Sequence, residues 1–556
     1  MIDIQRYLLI AAIAALSFML LIEWRNFDIE SSAPLATAVK VDEDRSAPLD
    51  SGDDLPRAEG GVDNTAFDAP TSTTSGRFIH LRNDVLDLKI DLEGGDIVRA
   101  EMSKYLAELD SKKPFVLLEN NDQRRFVAQS GLIGKNATDT ADGRPLFSAN
   151  NERYLLQEGS DEVVADLHYR YNDQIDIIKR YTLKRGEYLT RIEYLINNRS
   201  DKVFSASLFG QLKRDNSKDP GVTDDGMFAM KPFIGVAYSS PEDRYNKLAF
   251  EKMKDKPLKQ KMEGGWIAVI QHYFLSAWVP EQDATNSYST VVTRQGMNIA
   301  RFTSSEKQIP AGETGKIATA VYIGPKDQYK LEEISPGLEL TVDYGWLWWI
   351  AQPLFWLLTK LHSVIGNWGW SIIGVTILVK AAFFQLNAKA FTSMANMRKV
   401  QPKLVELKER YADDRQKQSQ AMMELYKKEK INPVGGCLPM LVQMPVFIAL
   451  YWVLMESVEL RHAPFMLWIE DLSAMDPYFV LPLIMGVSMF IQQKLNPPPP
   501  DPMQAKVMQW MPVIFTFFFL FFPAGLVLYW VVNNSLSIVQ QYIITKRIEK
   551  TGLPTR

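Results

Sequence analysis

Apolar residues follow two different patterns along the chain, and the change comes near residue 340. Between residues 77 and 336 apolar and polar residues alternate, as where Leu86, Leu88 and Ile90 are separated by single charged residues. A period of two places the apolar side chains on one face of a half-buried strand. Many short strands of this kind predict one large antiparallel β-sandwich over residues 77–336.

Individual strands within this region are also predicted. Residues 181–195 read as a hairpin with Gly186 at its turn, because two alternating runs flank that glycine. Later strands are expected over residues 265–274 and 317–323. No group of residues in this domain has a spacing that argues for catalysis. Domains of this kind bind or scaffold as often as they catalyse, so the sequence does not favour an enzyme here.

The chain begins with an uncharged apolar run over residues 7–22. A cleaved signal peptide is one interpretation, but no small-x-small cleavage pattern follows the run. We therefore predict an uncleaved signal anchor over residues 1–25. Residues 26–76 are rich in Ser, Ala, Pro and acidic residues, which predicts a flexible acidic linker.

Long apolar runs dominate the last third of the chain. The tryptophans near residue 348 favour an interfacial amphipathic helix over residues 337–362. A five-span core is predicted over residues 363–546, followed by a basic tail at 547–556. The five predicted spans are residues 365–385, 438–457, 478–492, 507–521 and 526–544, and with the N-terminal anchor they form a six-span α-helical bundle.

Charge predicts the orientation of these spans. The overall net charge is only -4, but residues 388–436 contain eleven basic and six acidic residues, a local charge of +5. Residues 456–477 have Arg461 as their single basic residue, against five acidic ones. By the positive-inside rule the first segment and both termini are cytoplasmic, and residues 26–364 are periplasmic.

The basic cytoplasmic segment predicts a helical hairpin over residues 392–431. Apolar residues recur there at helical spacing on both sides of Asp413 and Asp414, which mark a turn. Pro402 marks either a first helical turn or a kink. The hairpin is either a solvated loop held by ion pairs or a docking arm for an anionic partner such as RNA or lipid headgroups.

Lys380 interrupts an apolar span near its predicted cytoplasmic end. Inserting a cation at that depth costs about 2.5–3.5 kcal/mol on insertion scales, so a lysine at this position is expected to have a structural or functional role. One interpretation is a lysine that snorkels to the interface. The other is a hydrated cavity between helices, lined by Lys380 and by the polar residues Thr376, Gln385, Gln443, Asn533 and Asn534.

Little in the sequence argues for metal or cofactor chemistry. Cys437 is the only cysteine, and the five histidines include no pair at the i, i+4 spacing of a helical metal site. No glycine-rich phosphate loop is visible. We therefore predict no metal, no cofactor, no catalytic residue and no enzyme activity.

Several ordered motifs resemble one family. They are NPVGGCLP from Asn432, QMPVF from Gln443, FPAGLVLY from Phe522 and, in the β region, GWIAVIQHYF from Gly265. Together they are similar to the YidC membrane protein insertases of the Gram-negative type, which have a large periplasmic domain. The resemblance implies insertion and folding of nascent inner-membrane proteins through a hydrophilic groove open to cytoplasm and lipid, without ATP hydrolysis.

The resemblance also implies roles for particular residues. Lys380 takes the position of the family's groove cation, where many members have arginine, and Phe391 and Trp530 stand where some relatives have tyrosine. The implied partners are nascent membrane proteins, the ribosome, the Sec translocon and the lipid bilayer. Substrate guides are expected at Met444, Pro445, Pro512, Phe515 and Phe518, and ribosome contacts at Asp501, Lys427, Lys428 and Lys430.

Two other functional classes remain open from the residues alone. An ion-coupled solute transporter would use Lys380 as its coupling residue, although the chain shows no repeated halves with matching broken helices. A purely structural assembly subunit would need neither Lys380 nor the basic hairpin.

Overall fold

The computed structural model describes residues 55–56, 77–109, 111–135, 137–140, 143–220, 232–411, 414–429, 438–496 and 502–551. The predicted signal anchor, most of the predicted linker, Lys430 and Asp501 lie outside these residues. Within the described part, a β-rich domain is followed by helices, in the order that the two apolar patterns predict.

The β-rich domain contains an 11-stranded and a 9-stranded sheet. In spatial order the first sheet has β14 (Lys259–Glu263), β17 (Thr285–Val292), β18 (Asn298–Ser304), β11 (Phe204–Arg214), β5 (Arg125–Ile133), β4 (Pro114–Asn120), β3 (Asp96–Leu106), β2 (Leu86–Asp91), β1 (Phe78–Arg82) and β7 (Arg153–Leu155), with β19 (Lys307–Ile309) beside β11. The pairing is antiparallel except between β1 and β7, where His80 lies opposite Arg153 in a parallel register.

The second sheet is antiparallel throughout its described pairs. In spatial order it has β13 (Asn246–Leu248), β12 (Gly235–Tyr238), β15 (Ile267–Ile270), β16 (Phe274–Pro280), β20 (Thr314–Pro325), β10 (Leu189–Asn198), β9 (Ile175–Lys184), β8 (Glu162–Tyr171) and β6 (Ser148–Ala149).

Residues from both sheets bury their side chains in one hydrophobic core. Leu86, Leu88 and Ile90 of β2 are fully buried, which confirms the alternation predicted for this strand. Trp278 of β16 lies 6.0 Å from Phe302 of β18, between ring centroids, and so links the two sheets.

One predicted hairpin is confirmed and one predicted strand is wrong. Strands β9 and β10 pair antiparallel around Gly186, whose φ of 71° suits a glycine at a turn. Residues 265–274 do not form one strand, because the chain turns between Ile270 and Phe274, and Ile270 pairs with Leu275 in the next strand. An apolar run does not reveal such a turn when its residues are buried on both sides of it.

The C-terminal part of the chain is helical. Its described α-helices are α1 (Gln328–Ile334), α2 (Trp348–Ile365), α3 (Trp368–Ala382), α4 (Phe384–Arg410), α5 (Arg415–Lys428), α6 (Leu438–Glu456), α7 (Val480–Leu495), α8 (Pro502–Phe519) and α9 (Ala524–Thr551). Among the described residues, no single helix combines the length and apolar composition of a membrane span, whereas α3 and α4 together do so across a 67° bend.

The bend lies near the end of the span predicted over residues 365–385, most of which forms α3. The chain changes direction at Phe383, where the apolar run gives way to Gln385, Asn387 and Lys389. Pro402 lies inside α4, so it does not mark the start of a helix.

Helix α2 has the amphipathic character predicted for the interfacial segment, although it begins later and ends later than residues 337–362. Short 3₁₀ turns at Leu338–Thr341 and Gly345–Leu347 precede it. Ala351, Leu354, Phe355 and Leu358 face inward at helical spacing, whereas Trp348, Trp349 and Trp356 are exposed. The helix ends at Gly366, which has a left-handed φ of 72°.

The described residues between 399 and 429 belong to a different compact unit from the β-rich domain and the rest of the described helices. Asp414 caps the N-terminus of α5, because its Oδ1 accepts hydrogen bonds from the backbone N–H groups of Gln416 and Lys417. An ion pair of 2.7 Å between Lys403 Nζ and Glu429 Oε1 joins the two helical segments. Residues 412–413, where the turn was predicted, lie outside the described residues, so the hairpin over residues 392–431 stays a prediction.

The β-rich domain and the bundle meet at the end of α6. His272 lies 2.9 Å from the carbonyl oxygen of Met455, measured from Nε2. Val458, which follows α6, is 2% exposed and belongs to the hydrophobic core of the β-rich domain. The end of one bundle helix is therefore packed into the β-rich domain.

Candidate functional site

A cavity of about 270 Å³ lies among helices α3, α4, α6, α7, α8 and α9. Apolar side chains such as Phe391, Met394, Met444 and Trp530 form much of its wall. Its polar lining residues are Lys380, Asn387, Gln443, Gln492, Gln493, Asn496, Asn533, Asn534 and Ser537. Among the described residues that line this cavity, Lys380 alone is charged.

Lys380 is held in place by two neighbouring helices. It is 9% exposed, and its Nζ donates hydrogen bonds to Ser537 Oγ at 2.7 Å and to Gln443 Oε1 at 3.4 Å. The Ser537 hydroxyl donates its own proton to the Asn533 carbonyl at 2.8 Å, so a lone pair remains for the ammonium group. Two of the three ammonium N–H groups thus have described acceptors, and the third is available to a molecule in the cavity.

Further hydrogen bonds connect the polar lining across the bundle. Gln443 Nε2 donates to Asn533 Oδ1, which joins α6 to α9. Asn534 Nδ2 donates to Ser488 Oγ at 3.2 Å, which joins α9 to α7. The polar groups of the cavity therefore hold three helices together and fix the position of Lys380.

The structure brings together some of the predicted groove residues and leaves others apart. Lys380, Gln443, Asn533 and Asn534 all line the cavity. Thr376 is fully buried, and its Oγ1 donates to the Ile372 carbonyl of its own helix. Gln385 is exposed beyond the bend, outside the cavity lining.

Of the predicted substrate guides, some line the cavity and others lie outside its lining. Met444 and Pro512 line the cavity, whereas Pro445, Phe515 and Phe518 do not. Phe515 and Phe518 pack on the aromatic cluster around Phe519 and Phe522.

Two polar residues of α9 that the sequence argument passed over belong to this network. Ser537 contacts Lys380, and Gln541 donates from Nε2 to Asn496 Oδ1 at 2.9 Å. Asn533, Ser537 and Gln541 are four residues apart, so they lie on one helix face. That spacing is the signal that would have found them.

Both parts of the chain match models of known protein families. Residues 360–551 match the 60Kd inner membrane protein, and residues 78–357 match the YidC periplasmic domain. The Membrane protein insertase YidC of Stutzerimonas stutzeri strain A1501 is 51% identical over 560 residues, covering 99% of this chain and 100% of that protein. Its counterpart in Azotobacter vinelandii is also 51% identical, over 556 residues, covering 99% of each chain.

The chain belongs to the YidC family of membrane protein insertases.

A solved structure described as the active YidC insertase with its first transmembrane domain resolved is 20% identical, with a TM-score of 0.39. The matched region covers 84% of this chain and 93% of the chain in that structure. Membership of the YidC family makes this chain a bacterial inner membrane protein with a periplasmic domain.

Two aromatic residues from different helices, Phe391 and Trp530, line the wall of the cavity. The Trp530 ring lies edge-on to Phe447, with 4.7 Å between ring centroids and 80° between ring planes. This part of the wall is therefore a packed aromatic surface, and Tyr529 also lines the cavity.

The predicted ribosome contacts lie elsewhere in the chain. Lys427 and Lys428 are exposed near the end of α5. Lys430 and Asp501 lie outside the described residues.

Proposed function

We propose that this chain inserts newly made proteins into the inner membrane by taking their polar flanking segments into the cavity around Lys380. The observation that carries the proposal is the fixed ammonium group of Lys380, which retains one N–H group for a bound molecule. A carboxylate in the flank of a substrate would accept from that group, in a site with a lower dielectric constant than water.

Transfer of the substrate's apolar segment into lipid would drive the process. Burial of apolar surface contributes about 25 cal/mol per Å², so a membrane span releases more free energy than a short polar flank costs. Met444 and Pro512 would contact the substrate on its way, and Pro445, Phe515 and Phe518 would shape the same helices from behind. No hydrolysis of ATP is needed in this scheme.

The arrangement in the membrane is part of the proposal. Six spans, counted with the N-terminal anchor, would place both termini and the α4–α5 hairpin in the cytoplasm and the β-rich domain, as a sandwich of its two sheets, in the periplasm. The loop charges support this orientation. The exposed Lys427 and Lys428, together with Lys430 and Asp501, would contact the ribosome, and the Sec translocon would be a further partner.

Reconstitution of the purified protein alone in lipid vesicles tests this function. A small single-span substrate with an acidic flank should become protected from external protease in vesicles that contain the protein. Empty vesicles and vesicles containing the Lys380→Glu variant are the matched controls. Equal protection with and without the protein would contradict the proposal.

A further inference from the structure

The loop between α6 and α7, residues 457–479, exposes unusually large apolar side chains. Leu467 is 78% exposed and Tyr478 is 68% exposed, and Met466 and Phe479 are also exposed. The β-rich domain is present in the structure and does not cover them. A loop in water normally exposes polar side chains instead.

The charge of Asp476 in this loop points inward. Asp476 is 1% exposed. Its carboxylate accepts hydrogen bonds from Trp468 Nε1 at 2.9 Å, from the backbone N–H of Tyr478 at 3.0 Å and from that of Leu481 at 2.7 Å. The carboxylate of Asp476 is therefore satisfied within the protein, whereas Glu470 of the same loop is exposed beside the apolar groups.

The backbone of the α6–α7 loop is paired within the protein. Described bonds run from Phe465 N to the Ile469 carbonyl, from Leu472 N to the Ala463 carbonyl, from Ala524 N to the Ala474 carbonyl and from Gly525 N to the Leu472 carbonyl, all at 2.7–3.1 Å. Asn367 Nδ2 also donates to the Phe465 carbonyl at 3.0 Å. Irregular backbone at membrane depth requires pairing of this kind, since lipid offers no hydrogen-bond partners.

Helix α7 is too short to cross a bilayer without help. Its 16 residues rise about 24 Å, whereas the hydrocarbon core is about 30 Å thick. Tyr478 and Phe479 directly precede this helix and extend its apolar surface. Leu467 and Phe479 have left-handed φ values of 57°, a strained conformation for large side chains.

We propose that the α6–α7 loop is immersed in the periplasmic leaflet of the bilayer, where Met466, Leu467, Tyr478 and Phe479 contact lipid acyl chains. The inference rests on the proposed orientation of the spans. It explains together the exposed apolar residues, the inward carboxylate, the paired backbone and the short helix. The α6–α7 loop then occupies the part of the periplasmic leaflet that α7 is too short to reach.

Fluorescence quenching in lipid vesicles tests the depth of the loop. A polarity-sensitive fluorophore is attached at Leu467→Cys in a full-length Cys437→Ser background that retains insertion activity. Val487→Cys, on the exposed face of α7, and Glu158→Cys, in an exposed turn of the β-rich domain, are the lipid and water references.

Lipids with a nitroxide near the headgroup should quench the label at position 467 several-fold more than the label at 158, and aqueous iodide should quench it several-fold less. Iodide quenching as strong as at 158 would overturn the proposal. Quenching by neither agent would also overturn it, because a second copy of the chain would then cover the loop.

Orientation is measured separately, so the two proposals can fail independently. A membrane-impermeant maleimide should modify Glu158→Cys in intact spheroplasts. If it does not, the proposed orientation is wrong, whereas the lipid contact of Leu467 is still decided by the quenching result.

Discussion

Lys326 and Glu456 form a buried ion pair between the β-rich domain and the bundle. Lys326 Nζ lies 2.6 Å from Glu456 Oε2, and the two side chains are 2% and 3% exposed. Lys326 directly follows strand β20, and Glu456 is the last residue of α6. Since α6 also contains Gln443, one helix connects this ion pair to the cavity around Lys380.

Removing one partner of this pair should destabilise the protein strongly. Lys326→Met leaves Glu456 buried without its counter-ion, which typically costs about 3–5 kcal/mol. The double variant Lys326→Met, Glu456→Met removes both charges and should recover most of the loss. Thermal unfolding in detergent measures the stability of the single and the double variant. A double variant no more stable than the single one would contradict the pairing.

His272 should make stability depend on pH. Burial, followed by the nearby positive charge of Lys326, lowers the pKa of His272 to about 3, whereas the unfolded value is about 6.5. Between these values the unfolded chain binds one more proton, so stability is present above pH 6.5 and is lost as the pH falls towards 3.

His272→Gln retains a side-chain N–H group but does not titrate. The difference in unfolding temperature between the original protein and this variant should therefore change between pH 7.5 and pH 5, with the original protein losing more. A difference that is constant over this range would show that His272 does not couple protonation to folding.

Lys380 should act as a fixed charge. Lys380→Arg should retain insertion, whereas Lys380→Ala and Lys380→Glu should impair a substrate with an acidic flank more than the same substrate with a neutralised flank. Vesicle insertion of the two matched substrates measures this. If Lys380→Ala inserts both normally, the lysine only snorkels; if both fail equally, charge attraction is not its role.

Ser537 should position the ammonium group of Lys380. A hydrogen bond to a charged group contributes about 1.5–3 kcal/mol, so Ser537→Ala should lower insertion of the acidic substrate, and less than Lys380→Ala does. Ser537→Thr keeps the hydroxyl and should retain activity. If Ser537→Ala and Ser537→Thr behave alike, or if both substrates are affected equally, Ser537 does not position the ammonium group of Lys380.

The basic hairpin should bind ribosomes in a salt-dependent way. Exposed charges are screened over about 8 Å at physiological ionic strength, so added salt should weaken co-sedimentation. Replacement of Lys427, Lys428 and Lys430 by Glu should weaken it at low salt as well. Co-sedimentation that is insensitive to both changes would exclude the hairpin as the docking arm.

Local periodicity was enough to predict much of the β-rich domain. The alternation at Leu86, Leu88 and Ile90 corresponds to one buried face of a strand, and Gly186 marks a hairpin, because both signals act between near neighbours. The bend at Phe383 and the turn after Ile270 were not predicted, because both interrupt runs that contain many apolar residues. A run that is buried on both sides of a turn has no periodicity that marks the turn.

The candidate site was predicted in outline. Lys380 was predicted to line a cavity because a cation is costly in an apolar span. Gln443 and Asn533 were predicted to lie beside it because they are polar residues on neighbouring spans. Residue type alone did not separate these from Thr376, whose hydroxyl bonds to its own helix. Which side chain faces the cavity depends on how each helix is rotated in the bundle.

Val458 gives the β-rich domain an unusual order of assembly. The last strand of that domain ends at Pro325, but its hydrophobic core also contains Val458, which the ribosome adds only after α6. The β-rich domain therefore reaches its final packing only after α6 has been synthesised. Completion of its core can thus report that synthesis has passed the end of α6.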